Sequence, residues 1–178
     1  MNDTCIFMFG RMNPVHKGHG MVFEKALQMQ KETDSDLKLF LSNSVDNKKN
    51  PLPIQLKKYY IEGFYPEIGS TVHDNSTNLF QIMDSLNGEY NNVLFICGSD
   101  RVMDFQQTLD SYNGVRYHFN SIKAVQAGYD RTGCMYSSTM MRNAAIHHDF
   151  ERFSTALPGD DDYLKHKMFM DVIKHMRA

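Results

Sequence analysis

Two stretches of this chain are apolar at every position and stop at a glycine: Cys5-Ile6-Phe7-Met8-Phe9 before Gly10, and Val93-Leu94-Phe95-Ile96-Cys97 before Gly98. A half-exposed strand or a surface helix would interleave polar residues. Unbroken apolar runs of this length therefore predict strands covered on both faces, as in a parallel sheet between helical layers. Leu37–Leu41 predicts a further strand, Thr71–His73 a weaker one, and Arg116–Val125 one or two more. Helical spacing recurs between them. It shows at Met21, Val22, Ala26, Leu27 and Met29, over Ile54–Tyr65, and at Leu79, Phe80, Ile82, Met83 and Leu86, with Asn75 or Ser76 as the cap. A helical segment follows Gly98 through Leu109, and Ser137–His147 and Asp161–Met176 predict two more helices. Strands alternating with helices need crossover connections, which gives a doubly wound α/β fold, with a parallel sheet of about five strands and helices on both faces. In such sheets ligands bind beyond the carboxyl ends of the strands where the winding reverses, so the loops after Gly10 and Gly98 are expected to share one pocket.

At 178 residues the chain is expected to be one domain, 1–178, whose helical C-terminal extension from about residue 150 carries no motif. The formal net charge of -2 disfavours nucleic acid as a partner, because gripping a phosphate backbone calls for an excess of Lys and Arg. A small anionic metabolite fits better. No apolar run approaches the roughly 18 residues that cross a bilayer, and the start MNDTCIFMFGR lacks a basic region followed by a long apolar one. A cytoplasmic protein without membrane contact is expected. Cys5, Cys97 and Cys134 are far apart and form no Cys-x-x-Cys pair, so neither a disulfide framework nor a zinc site is suggested; the two in apolar runs read as core residues.

Chemistry concentrates in Gly10-Arg11-Met12-Asn13-Pro14-Val15-His16-Lys17-Gly18-His19. Gly18 lets the backbone come close to a ligand, and His16 and His19, three residues apart at the entry to a helix, can project toward one anion. The helix N-terminus adds oriented N–H groups, and Arg11 adds a planar fork of donors. Farther on, Ser137, Ser138 and Thr139 bring hydroxyls to the start of another helix, with Arg142 one turn along on the same side. That is a second anion cradle.

These segments resemble the nucleotidylyltransferase superfamily, whose members include nicotinamide mononucleotide, phosphopantetheine and glycerol-phosphate nucleotidylyltransferases. Gly10–His19 is similar to its His-x-Gly-His signature, and Tyr136–Arg142, about 120 residues later, to its Ile-Ser-Ser-Thr-x-x-Arg motif. The polar loop Ser42–Leu52 resembles the Ser-x-x-Lys-Lys-Pro loop of the phosphopantetheine enzymes, with Lys48 or Lys49 as the phosphate-contacting lysine. Gly98-Ser99-Asp100-Arg101 resembles the family's Gly-Ser/Ala-Asp segment near the acceptor or the nucleotide ribose. The resemblance runs over roughly residues 4 to 150. It is closest in look to small, cytidylyltransferase-like nucleotidyltransferases of large tailed bacteriophages, which would make the host cytoplasm the compartment.

The resemblance implies a Rossmann-like enzyme that transfers a nucleoside monophosphate from a nucleoside triphosphate, ATP ahead of CTP, to the phosphate of a small acceptor and releases pyrophosphate. It makes His16, His19, Lys48, Lys49 and Arg142 the catalytic candidates, and Gly10, Arg11, Asn13, Gly18, Gly98, Asp100, Arg101, Ser137, Ser138 and Thr139 the nucleotide-binding ones. Asp100 either accepts from a ribose hydroxyl or caps its helix. Mg2+ is expected to arrive on the triphosphate, since no acidic cluster is built to cage it, and no protein metal ligand is assigned. The Gly-Arg-x-x-Pro-x-His form is similar to the nicotinamide mononucleotide enzymes, which commonly stack the acceptor on an aromatic ring. This chain has no tryptophan, and Tyr60, Phe64, Tyr65 and Phe80 stand either as stacking faces or as core residues. The acceptor stays open. The alternative is a nucleotide-binding or sensing module without turnover. A class I aminoacyl-tRNA synthetase reading of His-Lys-Gly-His is opposed by the lack of a Lys-Met-Ser-Lys-Ser loop. A homo-oligomer is left open, with no coiled-coil heptad to decide it.

Overall fold

The computed structural model describes residues 2–98, 100–127 and 134–177. In chain order the elements are β1 (Thr4–Gly10), α1 (Lys17–Thr33), β2 (Asp36–Leu41), α2 (Ile54–Phe64), α3 (Pro66–Gly69), β3 (Val72–His73) and α4 (Leu79–Leu86). They continue with β4 (Asn92–Cys97), α5 (Val102–Tyr112), β5 (Ser121–Gln126), α6 (Ser138–Ile146), α7 (Phe150–Thr155) and α8 (Asp162–Arg177). The five strands form one sheet in the order β3-β2-β1-β4-β5. β1 pairs in parallel with β2 on one side and β4 on the other, and β4 with β5. The winding therefore reverses between β1 and β4. Right-handed crossovers taken in opposite directions along a sheet place their helices on opposite faces, so α1, between β1 and β2, and α5, between β4 and β5, cover different sides. This is the doubly wound, Rossmann-like α/β fold that the apolar runs predict.

The chain divides into two compact units that interleave along the sequence. Unit 1 is Met1–Gly10, Met21–Ser42 and His73–Gly133; unit 2 is Arg11–Gly20, Asn43–Val72 and Cys134–Ala178. Helices α6, α7 and α8 thus share a unit.

In unit 1, Phe7 of β1 stacks on its register partner Phe95 of β4 at 4.7 Å, and Phe40 meets Phe7 edge-on at 6.3 Å. Ile82, Met83 and Leu86 of α4 and Leu109 of α5 belong to the same buried cluster. Cys5 and Cys97 lie in it as core residues, and burial pushes their thiols up to about 12 and about 11.

Local details depart from the periodicity. In α1 the buried apolar side chains are Phe23 and Ala26, whereas Met21, expected on the apolar stripe, is 47% exposed; at 100° per residue the helix turns its aromatic residue inward and Met21 out. The cap of α4 is Asn78, not Asn75 or Ser76: its side chain accepts the Gln81 N–H at 2.9 Å, and Gln81 Oε1 accepts the Thr77 N–H in return. An N-cap stands immediately before the first helical residue, and α4 begins at Leu79, so the cap falls to Asn78. The short helices α3 and α7 show no period in the sequence because each spans less than two turns.

Candidate active site

The two histidines lie in unit 2 at the turn into α1, and the backbone dictates their chemistry. His16 is buried, and its Nδ1 accepts the Gly18 N–H at 2.9 Å. Nδ1 of His19 accepts the His16 N–H at 3.1 Å. A neutral imidazole whose Nδ1 accepts carries its proton on Nε2, so both rings are held as Nε2–H donors. Their centroids are 3.9 Å apart, which lets the two donors act side by side. Burial lowers the His16 pKa from 6.5 to about 4, keeping that ring neutral around pH 7.

Gly18 serves the ring rather than leaving open space. A Cβ at this position would stand 2.7 Å from His16 Cε1 and 3.0 Å from Cys134 Sγ. The expected anion site at the helix N-terminus changes with it. The Lys17 N–H donates to the Ala156 carbonyl at 2.8 Å, that of Gly18 to His16 Nδ1, and that of Gly20 to the His16 carbonyl at 3.1 Å. These three amides are engaged by the protein itself.

Helix α6 is sewn to the same loop. Ser137 caps α6 by accepting the Met140 N–H at 3.0 Å, and the Ser138 hydroxyl donates to the Pro14 carbonyl at 2.8 Å. Arg142 donates through Nη1 to the Asn13 carbonyl at 2.9 Å and through Nη2 to Thr139 Oγ1 at 3.2 Å. The Asn13 side chain is buried and clamps Leu52, donating to its carbonyl at 3.0 Å and accepting its N–H at 2.9 Å. Asn13, Ser137 and Ser138, expected as nucleotide contacts, thus bind protein groups, and Thr139 orients the guanidinium. Burial, and then the charge of Arg11, lower the Arg142 pKa.

Sequence reasoning missed Lys57. It sits on the buried face of α2 with Tyr60 and Ile61, only 1% exposed. Burial first, and the Arg11 charge second, bring its pKa from 10.5 down to about 8. The Arg11 charge thus bears on both Lys57 and Arg142, and all three residues belong to unit 2. The available signal was a lysine at an apolar position of a helical stripe.

Lys48 and Lys49 lie in an exposed loop organised by Asp46, whose carboxylate accepts the amides of Lys48 at 2.8 Å, Lys49 at 2.6 Å and Asn50 at 3.3 Å, and the Asn50 side chain at 2.7 Å. Those bonds, the Asn50 side chain foremost, hold the Asp46 carboxyl well below the usual range. Both lysine side chains are exposed, and the loop does not distinguish them.

Gly10, Gly98, Asp100 and Arg101 belong to unit 1, and Ser99 lies outside the described residues. The Gly10 carbonyl accepts the Ser42 N–H at 3.1 Å. The N-cap position of α5 is Arg101, without a side-chain capping bond, so the cap does not fall to Asp100. Arg101 donates its N–H to the Gly98 carbonyl at 3.0 Å and lays its guanidinium 4.8 Å from the Phe105 ring. Of the four aromatic candidates, Tyr60 and Tyr65 are buried, whereas Phe64, stacked on Tyr60, and Phe80, edge-on to Tyr112, are half-buried. Among the described residues no three His, Cys, Asp or Glu side chains gather as a metal would require, and no helix is long and apolar enough to cross a membrane.

The sequence profile of the cytidylyltransferase-like family matches residues 7–144, a span that contains both histidines and Arg142. The chain belongs to the cytidylyltransferase-like family. No curated protein matches this cytidylyltransferase-like chain. Among solved structures it is similar to one from Vibrio parahaemolyticus, provisionally assigned as a nicotinate-nucleotide adenylyltransferase. The TM-score is 0.61 at 14% identity, covering 94% of this chain and 99% of that one. Family and fold are those of nucleotidyltransferases.

Proposed function

We propose that this chain transfers a nucleoside monophosphate from a nucleoside triphosphate to the phosphate of a small phosphorylated acceptor. An acceptor oxygen attacks the α-phosphorus, the bond from that phosphorus to the bridging oxygen breaks, and the electron pair leaves on pyrophosphate. The observation that carries this reading is the imidazole pair, locked as two neutral Nε2–H donors by backbone amides. Donors aimed in advance at the α- and β-phosphoryl oxygens stabilise charge where it grows in the transition state, and neutral donors need no proton from solvent to do so. Arg11, Lys57 and Arg142 offset the repulsion between two anionic substrates, and Lys48 or Lys49 bridges donor and acceptor. The acceptor phosphate is itself the nucleophile, so no covalent enzyme intermediate is required.

Mg2+ enters as part of the triphosphate substrate, since magnesium keeps waters and substrate oxygens as ligands. ATP is the favoured donor and CTP the competitor. A mononucleotide such as nicotinate or nicotinamide mononucleotide leads the list of acceptors, on the likeness to the Vibrio protein and the Gly-Arg-x-x-Pro-x-His form. The test is pyrophosphate release from ATP or CTP with Mg2+ over a panel of phosphorylated acceptors. Release with one donor and a narrow set of acceptors is expected; retained triphosphate binding without release in any combination would leave only a nucleotide-binding module.

A further inference from the structure

Residues after 144 lie outside the family match, yet they touch the site-bearing elements of unit 2 at three points. The Ala156 carbonyl, at the C-terminal end of α7, accepts the Lys17 N–H at 2.8 Å, between the two histidines. The Tyr60 hydroxyl of α2 donates to the Asp171 carboxylate of α8. Lys167 holds the same carboxylate oxygen at 3.0 Å and lies 3.4 Å from the Tyr60 hydroxyl. Finally, Leu164 of α8 fills the space over Gly63 of α2, where a Cβ would come within 2.7 Å of its Cδ2.

Two of these contacts converge on α2, the helix that carries Lys57. Tyr60 is three residues beyond Lys57 on the same buried face of α2, so the azimuth and depth of α2 that carry the Tyr60 hydroxyl to Asp171 also set those of the lysine. A buried cation gains from an anion only where its ammonium is held in register with it, and a long lysine stem has no rigidity of its own. A hydrogen bond accepted from a buried tyrosine fixes the position of the ring that donates it.

We infer that the C-terminal pair α7–α8 is a positioning element for the nucleotide site, with Asp171 acting through Tyr60 to hold the α2 face that presents Lys57, while Ala156 holds the amide between the paired imidazoles. Asp171 and Tyr60 are positioning residues and touch no substrate. The inference rests on reading the unit 2 cations as an anion site, and its test has one arm that needs no turnover.

In that arm, the rate of Lys57 reductive methylation is followed by peptide mass spectrometry in the full chain and in Tyr60→Phe, Asp171→Ala and Asp171→Asn. Tyr60→Phe and Asp171→Ala are expected to label Lys57 severalfold faster than wild type. Asp171→Asn, which keeps an oxygen to accept from Tyr60, stays near the native rate. Protection of Lys57 that is unchanged in both Tyr60→Phe and Asp171→Ala would overturn the inference, whatever the enzyme's activity. Should Tyr60→Phe fail to fold, the Asp171 pair decides the matter, since Ala and Asn differ in the acceptor and not in the lost charge. In the turnover arm, kcat/KM falls about tenfold to a hundredfold in Tyr60→Phe and Asp171→Ala and recovers in Asp171→Asn. Equal losses in Asp171→Ala and Asp171→Asn would show that the carboxylate's charge, and not its hold on Tyr60, is what counts. A wild-type chain that turns over nothing, with labelling as expected, refutes the proposed reaction and leaves the positioning role standing.

Discussion

β1 and β4 both carry an apolar run into a glycine, yet the segments that follow are built differently. After Gly10, Asn13 is 1% and His16 7% exposed, and each is hydrogen-bonded to protein. After Gly98, Asp100 and Arg101 are exposed, and the helix that follows begins without a side-chain cap. Burying polar side chains is unfavourable unless every donor and acceptor finds a partner, so a loop that does this has its geometry specified. The first loop holds its imidazoles in one tautomer through that bonding; in the second, Asp100 and Arg101 stay exposed.

The comparison breaks most sharply at the histidines. His19→Ala removes one of the two aligned donors and is expected to lower turnover by about a hundredfold or more, measured by pyrophosphate release, with the folded state retained. A mutant as fast as wild type would place the chemistry elsewhere.

Acid should find the same loop. His16 is neutral in the fold, with a pKa of about 4 against 6.5 when exposed, so the stability it contributes is complete above pH 6.5 and is lost as the pH falls through about 4. Urea unfolding at pH 7 and pH 4 should differ by up to about 3 kcal/mol from this residue, and His16→Gln should remove that part of the slope.

Gly18→Ala sharpens the contrast at a single methyl group. The Cβ meets the His16 ring at 2.7 Å, so the ring must move. A destabilisation of about 1–3 kcal/mol is expected in chemical denaturation, together with a slower reaction. In the second loop the smallest effect belongs to Arg101→Ala, which loses an exposed contact with Phe105 and should cost less than about 1 kcal/mol in thermal unfolding. A loss several times larger would mean that this loop is as tightly specified as the first.

The fold was legible because its signals are local and redundant. Apolar runs, glycine stops and helical spacing each bear on the same sheet, and β1, β2, β4 and α2 fall close to where they predict. The site was legible as a set of segments but less so as a set of roles. Ser138 and Asn13 look like ligand contacts because they are polar residues in a motif, yet their partners are the carbonyl of Pro14 and the backbone of Leu52. Nothing near them in the chain announces those partners. Lys57 was overlooked for the converse reason: a lysine in a surface helix is usually solvated, and its burial depends on what packs over it.

By itself the amino-acid order determined the parallel sheet, the family motifs and the candidate histidines, since alternation, periodicity and motif spacing are properties of neighbouring residues. Only the tertiary structure decided that Gly18 makes room for a ring, that both imidazoles carry their proton on Nε2, and that Lys57 is buried. Those outcomes depend on distances between atoms far apart in the chain and on the removal of water from charged groups, and neither is written in local pattern.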